Sequence, residues 1–266
     1  MELQLKEILV EVEKIAKKAG GYLLSEFGKV NTAQIEEKSL NSLVSYVDKT
    51  AEIQIVSALS ALIPGSVFLT EEATIETSTG EYRWVIDPLD GTTNFLFNIP
   101  VFSVSIGLEY KGKGVLGVIY DPNRNECFSA CKGNGATLNG HEIHVSKKTR
   151  LADTLLATGF PYHDYGMLDA YLNTMGILMS SCRGLRRIGS AAIDLAYVAA
   201  GRFDAFWEYH LQPWDISAGL VIVEEAGGQI SDFYGIPDAL TGKSLIASNK
   251  LVHRELQDII GRQFII

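Results

Sequence analysis

Apolar residues at Leu5, Ile8, Leu9, Val12, Ile15, Ala16, Ala19, Leu23 and Phe27 recur at helical spacing, with lysines and glutamates opposite them. That pattern predicts an amphipathic helix over 5–27. A second helix is expected over about 48–62, closed by Pro64-Gly65. Val67-Phe68-Leu69 predicts a short strand leading to Thr70-Glu71-Glu72, and 74–80 reads as a polar loop. The apolar run Trp84-Val85-Ile86 predicts a buried strand, stopped by two aspartates bracketing a proline and then by Gly91-Thr92-Thr93. Three β-rich runs follow over 102–110, 114–121 and 126–132, with turn residues between them, as in an antiparallel meander. Gly133-Asn134-Gly135 and Asn139-Gly140 predict further turns.

Past about residue 150 the rhythm alternates. Strands are expected over 154–158, 203–208 and 244–247, and helices over 167–181, 189–201, 214–227 and 251–261. The chain thus divides into an α+β half over 1–150 and an α/β half over 151–266. No linker-like stretch separates them, so one integrated domain sharing one stack of layers is expected.

With 47% hydrophobic and 21% charged residues, the 266-residue chain can bury a large core. Its net charge of −9 makes it a poor non-specific binder of nucleic acid, so a phosphate-bearing substrate would need a bound cation. Cys127, Cys131 and Cys182 form no CxxC pair, which fits a reducing compartment, and Cys127 and Cys131 fall on one predicted strand, too far apart to bridge. The charged opening helix does not read as a signal peptide, and no apolar run approaches the roughly 18–20 residues of a membrane span. A cytoplasmic protein without a membrane partner is expected.

Asp87 and Asp90 could not sit together in apolar surroundings as bare charges, and a divalent metal is the simplest counter-ion. Each candidate has a plain alternative: turn formation for Asp87 and Asp90, helix capping for Asp215 and Thr92, a loop charge for Glu71. Their company favours a site. Other candidates carry less. His141-Glu142-Ile143-His144 lacks the helical spacing of a zinc motif and reads as surface. Gly227-Gly228 reads as a helix-ending turn, and Arg183, Arg186 and Arg187 as surface charge or a subunit contact.

The run Trp84-Val85-Ile86-Asp87-Pro88-Leu89-Asp90-Gly91-Thr92-Thr93-Asn94 resembles the first signature of the inositol monophosphatase family. Trp214-Asp215-Ile216-Ser217-Ala218-Gly219, followed by Glu224-Glu225-Ala226-Gly227-Gly228, resembles its second. Thr70-Glu71-Glu72 stands where the family usually has Gly-Glu-Glu, Val47-Asp48 precedes the second helix, and 187–201 is similar to the bacterial branch. The resemblance covers nearly the whole chain. It implies a layered αβαβα sandwich of the sugar-phosphatase (inositol monophosphatase/fructose bisphosphatase-like) fold, two to three Mg²⁺ ions and hydrolysis of a small phosphomonoester.

Carried over by position, the resemblance implies Glu71, Asp87 and the Leu89 carbonyl as ligands of one ion. Asp87, Asp90 and Asp215 would hold another. Glu71 and Thr92 would orient the attacking water, with Asp48 accepting from Thr92, and no cysteine or histidine is placed to form a phosphoenzyme. The amides of Gly91 and Thr92 would grip phosphate. Asp90, Ala191, Glu208 and Asp215, with backbone of Gly189 and Ser190, would meet the alcohol. A polyol phosphate, best inositol monophosphate, is the implied substrate; relatives acting on histidinol phosphate, fructose 1,6-bisphosphate or adenosine 3′,5′-bisphosphate share the metal site. The resemblance also implies a homodimer and lithium sensitivity. Some bacterial relatives act as partners of the transcription machinery, which is the alternative to catalysis. The chain departs from the family pattern at Thr70, at Ser42 (commonly aspartate) and at Gln212-Pro213, which differs from animal members.

Overall fold

The computed structural model describes residues 5–31, 35–39, 42–76, 79–161, 165–236 and 244–264, with the backbone alone for 35–39, 42 and 43. The Ser42 side chain and Thr77–Ser78 of the predicted polar loop therefore lie outside the described residues. Two helices, α1 (Leu5–Glu26) and α2 (Tyr46–Leu62), flank a hairpin of β1 (Ile35–Ser39) and β2 (Ser42–Ser45). A seven-stranded sheet follows in chain order: β3 (Val67–Thr70), β4 (Tyr82–Asp90), β5 (Ser103–Tyr110), β6 (Lys113–Asp121), β7 (Glu126–Cys131), β8 (Ala136–Leu138) and β9 (His141–Ile143). Only β3 and β4 run parallel; the other neighbours are antiparallel. α1 and α2 cover one face, and the predicted stripe Ile8, Val12, Ala16, Ala19 and Leu23 is buried against it.

The second sheet takes its strands from the C-terminal half: β10 (Leu155–Thr158), β11 (Gly184–Arg186), β12 (Ala205–Tyr209), β13 (Gln229–Ser231) and β14 (Ser244–Ser248), in the order β11-β10-β12-β14-β13. β10 lies parallel to both β11 and β12. Helices α5 (Ala191–Ala199) and α6 (Pro213–Glu225) fill the space between the sheets, while α4 (Leu168–Ser181) and α7 (His253–Gly261) cover the outer face of the smaller one. The result is the expected αβαβα stack. The middle layer is tight: a Cβ on Gly117 of β6 would come within 2.2 Å of the Ala218 carbonyl oxygen, so α6 rests on the sheet backbone itself. All residues of α6 from Ile216 to Val223 are buried, as a helix caught between two sheets requires.

The main departure from the sequence reading lies in β4, which does not stop at Ile86 but continues to Asp90. A one-turn helix, α3 (Thr92–Leu96), opens after Asp90 where a helix or turn is expected, whereas the hairpin β1–β2 and the three-residue strands β8, β9, β11 and β13 were not predicted; a three-residue strand carries too little periodicity to read. Cys127 and Cys131 are free and buried along β7, and His141, Glu142 and His144 are exposed. Among the described residues no helix is long and apolar enough to cross a membrane.

Candidate active site

On β4, Asp87 pairs with Ser105 of β5 and Asp90 with Ser103, so three steps along one strand face two along the other. Residues three apart on a regular strand point to opposite faces. The one-residue bulge brings Asp90 back to the face of Asp87. Pro88 falls inside the bulge, where its missing amide costs no ladder bond. The Leu89 amide donates to Asp87 Oδ1 at 2.9 Å. Gly91 then turns the chain with φ +97°, and a Cβ there would meet the carbonyl oxygens of Val101 at 2.9 Å and Gly189 at 3.1 Å. Gly91 takes the N-cap place of α3, so Thr92 is its first residue and not, as the plain reading had it, the cap.

Each acid is braced by a donor from elsewhere in the chain. Asp90 Oδ2 accepts the Ser190 hydroxyl at 2.5 Å and the Ala192 amide at 2.7 Å, at the start of α5. Asp215 Oδ2 accepts the Gln212 amide at 2.6 Å in the first turn of α6. The carboxyls of Glu71 and Asp87 share a hydrogen bond. Behind Glu71, the fully buried Glu52 of α2 accepts from Thr70 Oγ1 (2.9 Å), Glu72 N (2.8 Å), Thr74 N (2.8 Å) and Thr74 Oγ1 (2.6 Å). The departure at Thr70 is thereby explained: its hydroxyl adds a bond to the brace. The Thr92 hydroxyl has Asp48 Oδ1 at 3.1 Å and the Leu89 carbonyl at 3.0 Å as acceptors, while Asp48 Oδ2 receives Ser45 N and Oγ. Asn94 ties the two halves together, donating through Nδ2 to Val101 O and Ile188 O, both at 2.9 Å.

These groups open into a cleft of about 490 Å³ lined by Glu71, Asp87, Leu89, Asp90, Gly91, Thr92, Gly189, Ser190, Ala191, Glu208 and Asp215. Of the residues named from sequence, only Asp48 does not line it; it stands behind Thr92. The cleft's far wall is made at the carboxyl ends of the parallel strands β10, β11 and β12, where the strand order turns back on itself and α/β sheets place their ligands.

The profile of the inositol monophosphatase family matches residues 4–264. The chain belongs to this family. An inositol-1-monophosphatase of Mesorhizobium japonicum is 44% identical over 91% of both chains, and a protein named Nus factor SuhB of Pseudomonas aeruginosa is 44% identical over 89% of both. The crystal structure of the extragenic suppressor protein suhB of Bartonella henselae superposes with a TM-score of 0.91 at 42% identity, covering 96% of this chain and 98% of that one. As a member of the inositol monophosphatase family the chain is a phosphatase, and the family is metal-dependent.

The electrostatics of this phosphatase fit a cation. Burial, then the charges of Glu71, Asp90 and Asp215, hold the Asp87 carboxyl well above its ordinary range. Burial likewise pushes Asp90 up to about 6 and raises Asp215. Only oxygen donors converge, as hard cations require. Among the described residues the acids are not gathered into a three-ligand cage. An open set of oxygens suits an ion that keeps several waters.

Several cleft residues escaped the sequence reading. The basic cluster is split by the structure: Arg183 pairs with Asp153 and Arg186 reaches the Leu185 carbonyl on the surface, whereas Arg187 enters the cleft and stacks over Phe160 at 5.3 Å. His210 also lines the cleft, in left-handed backbone at φ +74°. Gly159 follows β10 with no room for a side chain, since a Cβ would lie 2.0 Å from the Glu208 carboxylate. Glu208, pushed up to about 8 by burial and relieved by Arg187, faces Asp194 of α5 across this wall. A strand ending at the cleft mouth was the only available signal for these residues, and β11 was too short to be seen.

Proposed function

We propose that the protein hydrolyses a small phosphomonoester with Mg²⁺, best myo-inositol monophosphate, to the free alcohol and phosphate. The carrying observation is one cleft with four acids around the β4 bulge at one end and Glu208 at the other. Two to three ions held by Glu71, Asp87, Asp90, Asp215 and the Leu89 carbonyl would supply the charge that activates water and stabilises the leaving oxygen. Thr92, with its proton directed to Asp48, accepts from the attacking water, and Glu71 orients it. The amides of Gly91 and Thr92 meet the phosphate oxygens. Asp90, Ala191, Glu208 and Asp215, with the backbone of Gly189 and Ser190, meet the alcohol hydroxyls. No cysteine lines the cleft, and direct attack by water needs no covalent intermediate.

The test is a screen of Mg²⁺-dependent phosphate release from inositol 1-phosphate, histidinol phosphate, fructose 1,6-bisphosphate and adenosine 3′,5′-bisphosphate. Highest kcat/KM on inositol 1-phosphate is the expected result; preference for another substrate replaces the alcohol and keeps the reaction. Three free thiols support a cytoplasmic setting. Exposed Leu172, Ile177 and Met179 on α4, beside Phe160 and Tyr165, support a homodimer through that face, measurable by sedimentation.

A second reading, a protein-partner role beside catalysis, is favoured by the relative named Nus factor SuhB. It requires that a pull-down survive Asp87→Asn while phosphatase activity is lost.

A further inference from the structure

Helix α5 is built from alanine, isoleucine, leucine, valine and tyrosine with a single charged residue, Asp194. Ser190 caps the helix, and the Asp194 amide bonds back to the Ser190 carbonyl at 3.0 Å, which fixes the side chain one turn inside the cleft wall. Asp194 is 2% exposed, its Oδ1 has no hydrogen-bond partner, and it lines the cleft. Asp87, Asp90 and Asp215 each have a donor. A buried carboxylate oxygen without one is costly, and at a cleft wall a ligand can supply the missing donor.

The surroundings define that ligand. Burial, then Glu208 and Asp90, raise the Asp194 carboxyl, and only Arg187 relieves it. Arg187 relieves Glu208 as well. A second phosphate placed here would meet two buried acids that already share one guanidinium. A neutral hydroxyl would donate to the bare oxygen and add no charge.

We propose that Asp194 is a specificity-determining residue whose Oδ1 accepts a hydroxyl of the substrate's alcohol half, next to the hydroxyls met by Glu208, and which disfavours a second phosphate at that end. The inference rests on the phosphomonoesterase reading of the cleft and deepens it: the favoured substrate is a monophosphorylated polyol with a free hydroxyl remote from the ester.

The test compares wild type, Asp194→Ala and the isosteric Asp194→Asn on myo-inositol 1-phosphate, on p-nitrophenyl phosphate, which has no alcohol hydroxyl, and on fructose 1,6-bisphosphate. For Asp194→Ala the ratio of kcat/KM on inositol 1-phosphate to that on p-nitrophenyl phosphate falls about tenfold, as loss of a buried hydrogen bond predicts. The fall lies in KM, and the inhibition constant of free myo-inositol rises with it. Asp194→Asn, which keeps the volume, shows the same shift in smaller degree and carries the test if the alanine variant does not fold. In both variants fructose 1,6-bisphosphate gains on inositol 1-phosphate. An unchanged ratio, or a loss shared by both monoesters, overturns the proposal and leaves Asp194 as a charge partner of Arg187. If wild type ignores inositol 1-phosphate but cleaves another polyol monophosphate, the substrate assignment fails, and the same ratio measured on that ester still decides the role of Asp194.

Discussion

The two ends of the cleft are built differently. At the β4 end Asp87 and Asp90 share one short run of chain, Glu71 follows β3 and Asp215 opens α6, and three of these four acids are held by named donors: Leu89 N on Asp87, Ser190 Oγ and Ala192 N on Asp90, Gln212 N on Asp215. At the far end Glu208, Asp194, Arg187 and Gly159 come from four separate elements, and the Asp194 oxygen is left bare. The β4 end is thus braced by hydrogen bonds within the chain, and the far end keeps polar capacity for a ligand. Pre-organised ligands favour a fixed reaction, while an open acceptor wall lets the alcohol vary.

The contrast can be broken most severely at the braced end. Asp90→Asn, measured at saturating Mg²⁺, is expected to lower turnover more than about a hundredfold, beyond what loss of an outer-shell partner does. A near wild-type rate would remove Asp90 from the machinery. At the open end, Gly159→Ala drives a Cβ into the Glu208 carboxylate. Displacing Glu208 by about 1 Å should lower kcat/KM on inositol 1-phosphate about a hundredfold, with KM carrying more of it than kcat. An unchanged KM would mean that Glu208 does not meet the alcohol.

A smaller effect is expected one layer back. Glu52→Gln puts an amide group among four donors and loosens the segment that carries Glu71, so the Mg²⁺ concentration for half-maximal activity should rise about tenfold. Thr70→Gly removes one of those bonds and should cost about 1 kcal/mol in a denaturant titration. The smallest effect concerns pH. Glu208 is held at about 8 in the fold against 4.5 as a free side chain, so between these values the native chain binds the extra proton. Stability of the metal-free protein should therefore fall as pH rises from 5 to 8, and Glu208→Gln should flatten part of that slope in thermal melts.

The same contrast explains what the sequence could and could not disclose. The β4 end was legible because Asp87 and Asp90 are nearly contiguous and follow an apolar strand, while Glu71 and Asp215 were marked by the family resemblance. The helices α1, α2, α4, α5, α6 and α7 were legible from periodicity. The recognition wall was not. Asp194 sits in an apolar helix where it reads as an isolated charge, Gly159 as one glycine among 25, and Arg187 as a neighbour of two surface arginines until β11 separates their faces. Glu52 is hidden for another reason: its partners lie 18 to 22 residues away, across a turn whose path the sequence does not state.

The bulge in β4 has a consequence for spacing. Two acids on one face of a flat strand would be separated by an even number of steps, and the carbonyls between them would belong to the ladder. Here the interval is odd, and neither Pro88 nor Leu89 takes a place in the pairing register with β5. The spare residue therefore leaves the Leu89 carbonyl out of the ladder, where it accepts the Thr92 hydroxyl at the cleft. Removing a single residue between Asp87 and Asp90 would change more than their distance. It would erase the bulge, leaving both carboxylates on one face of a regular strand and returning the carbonyl between them to the ladder.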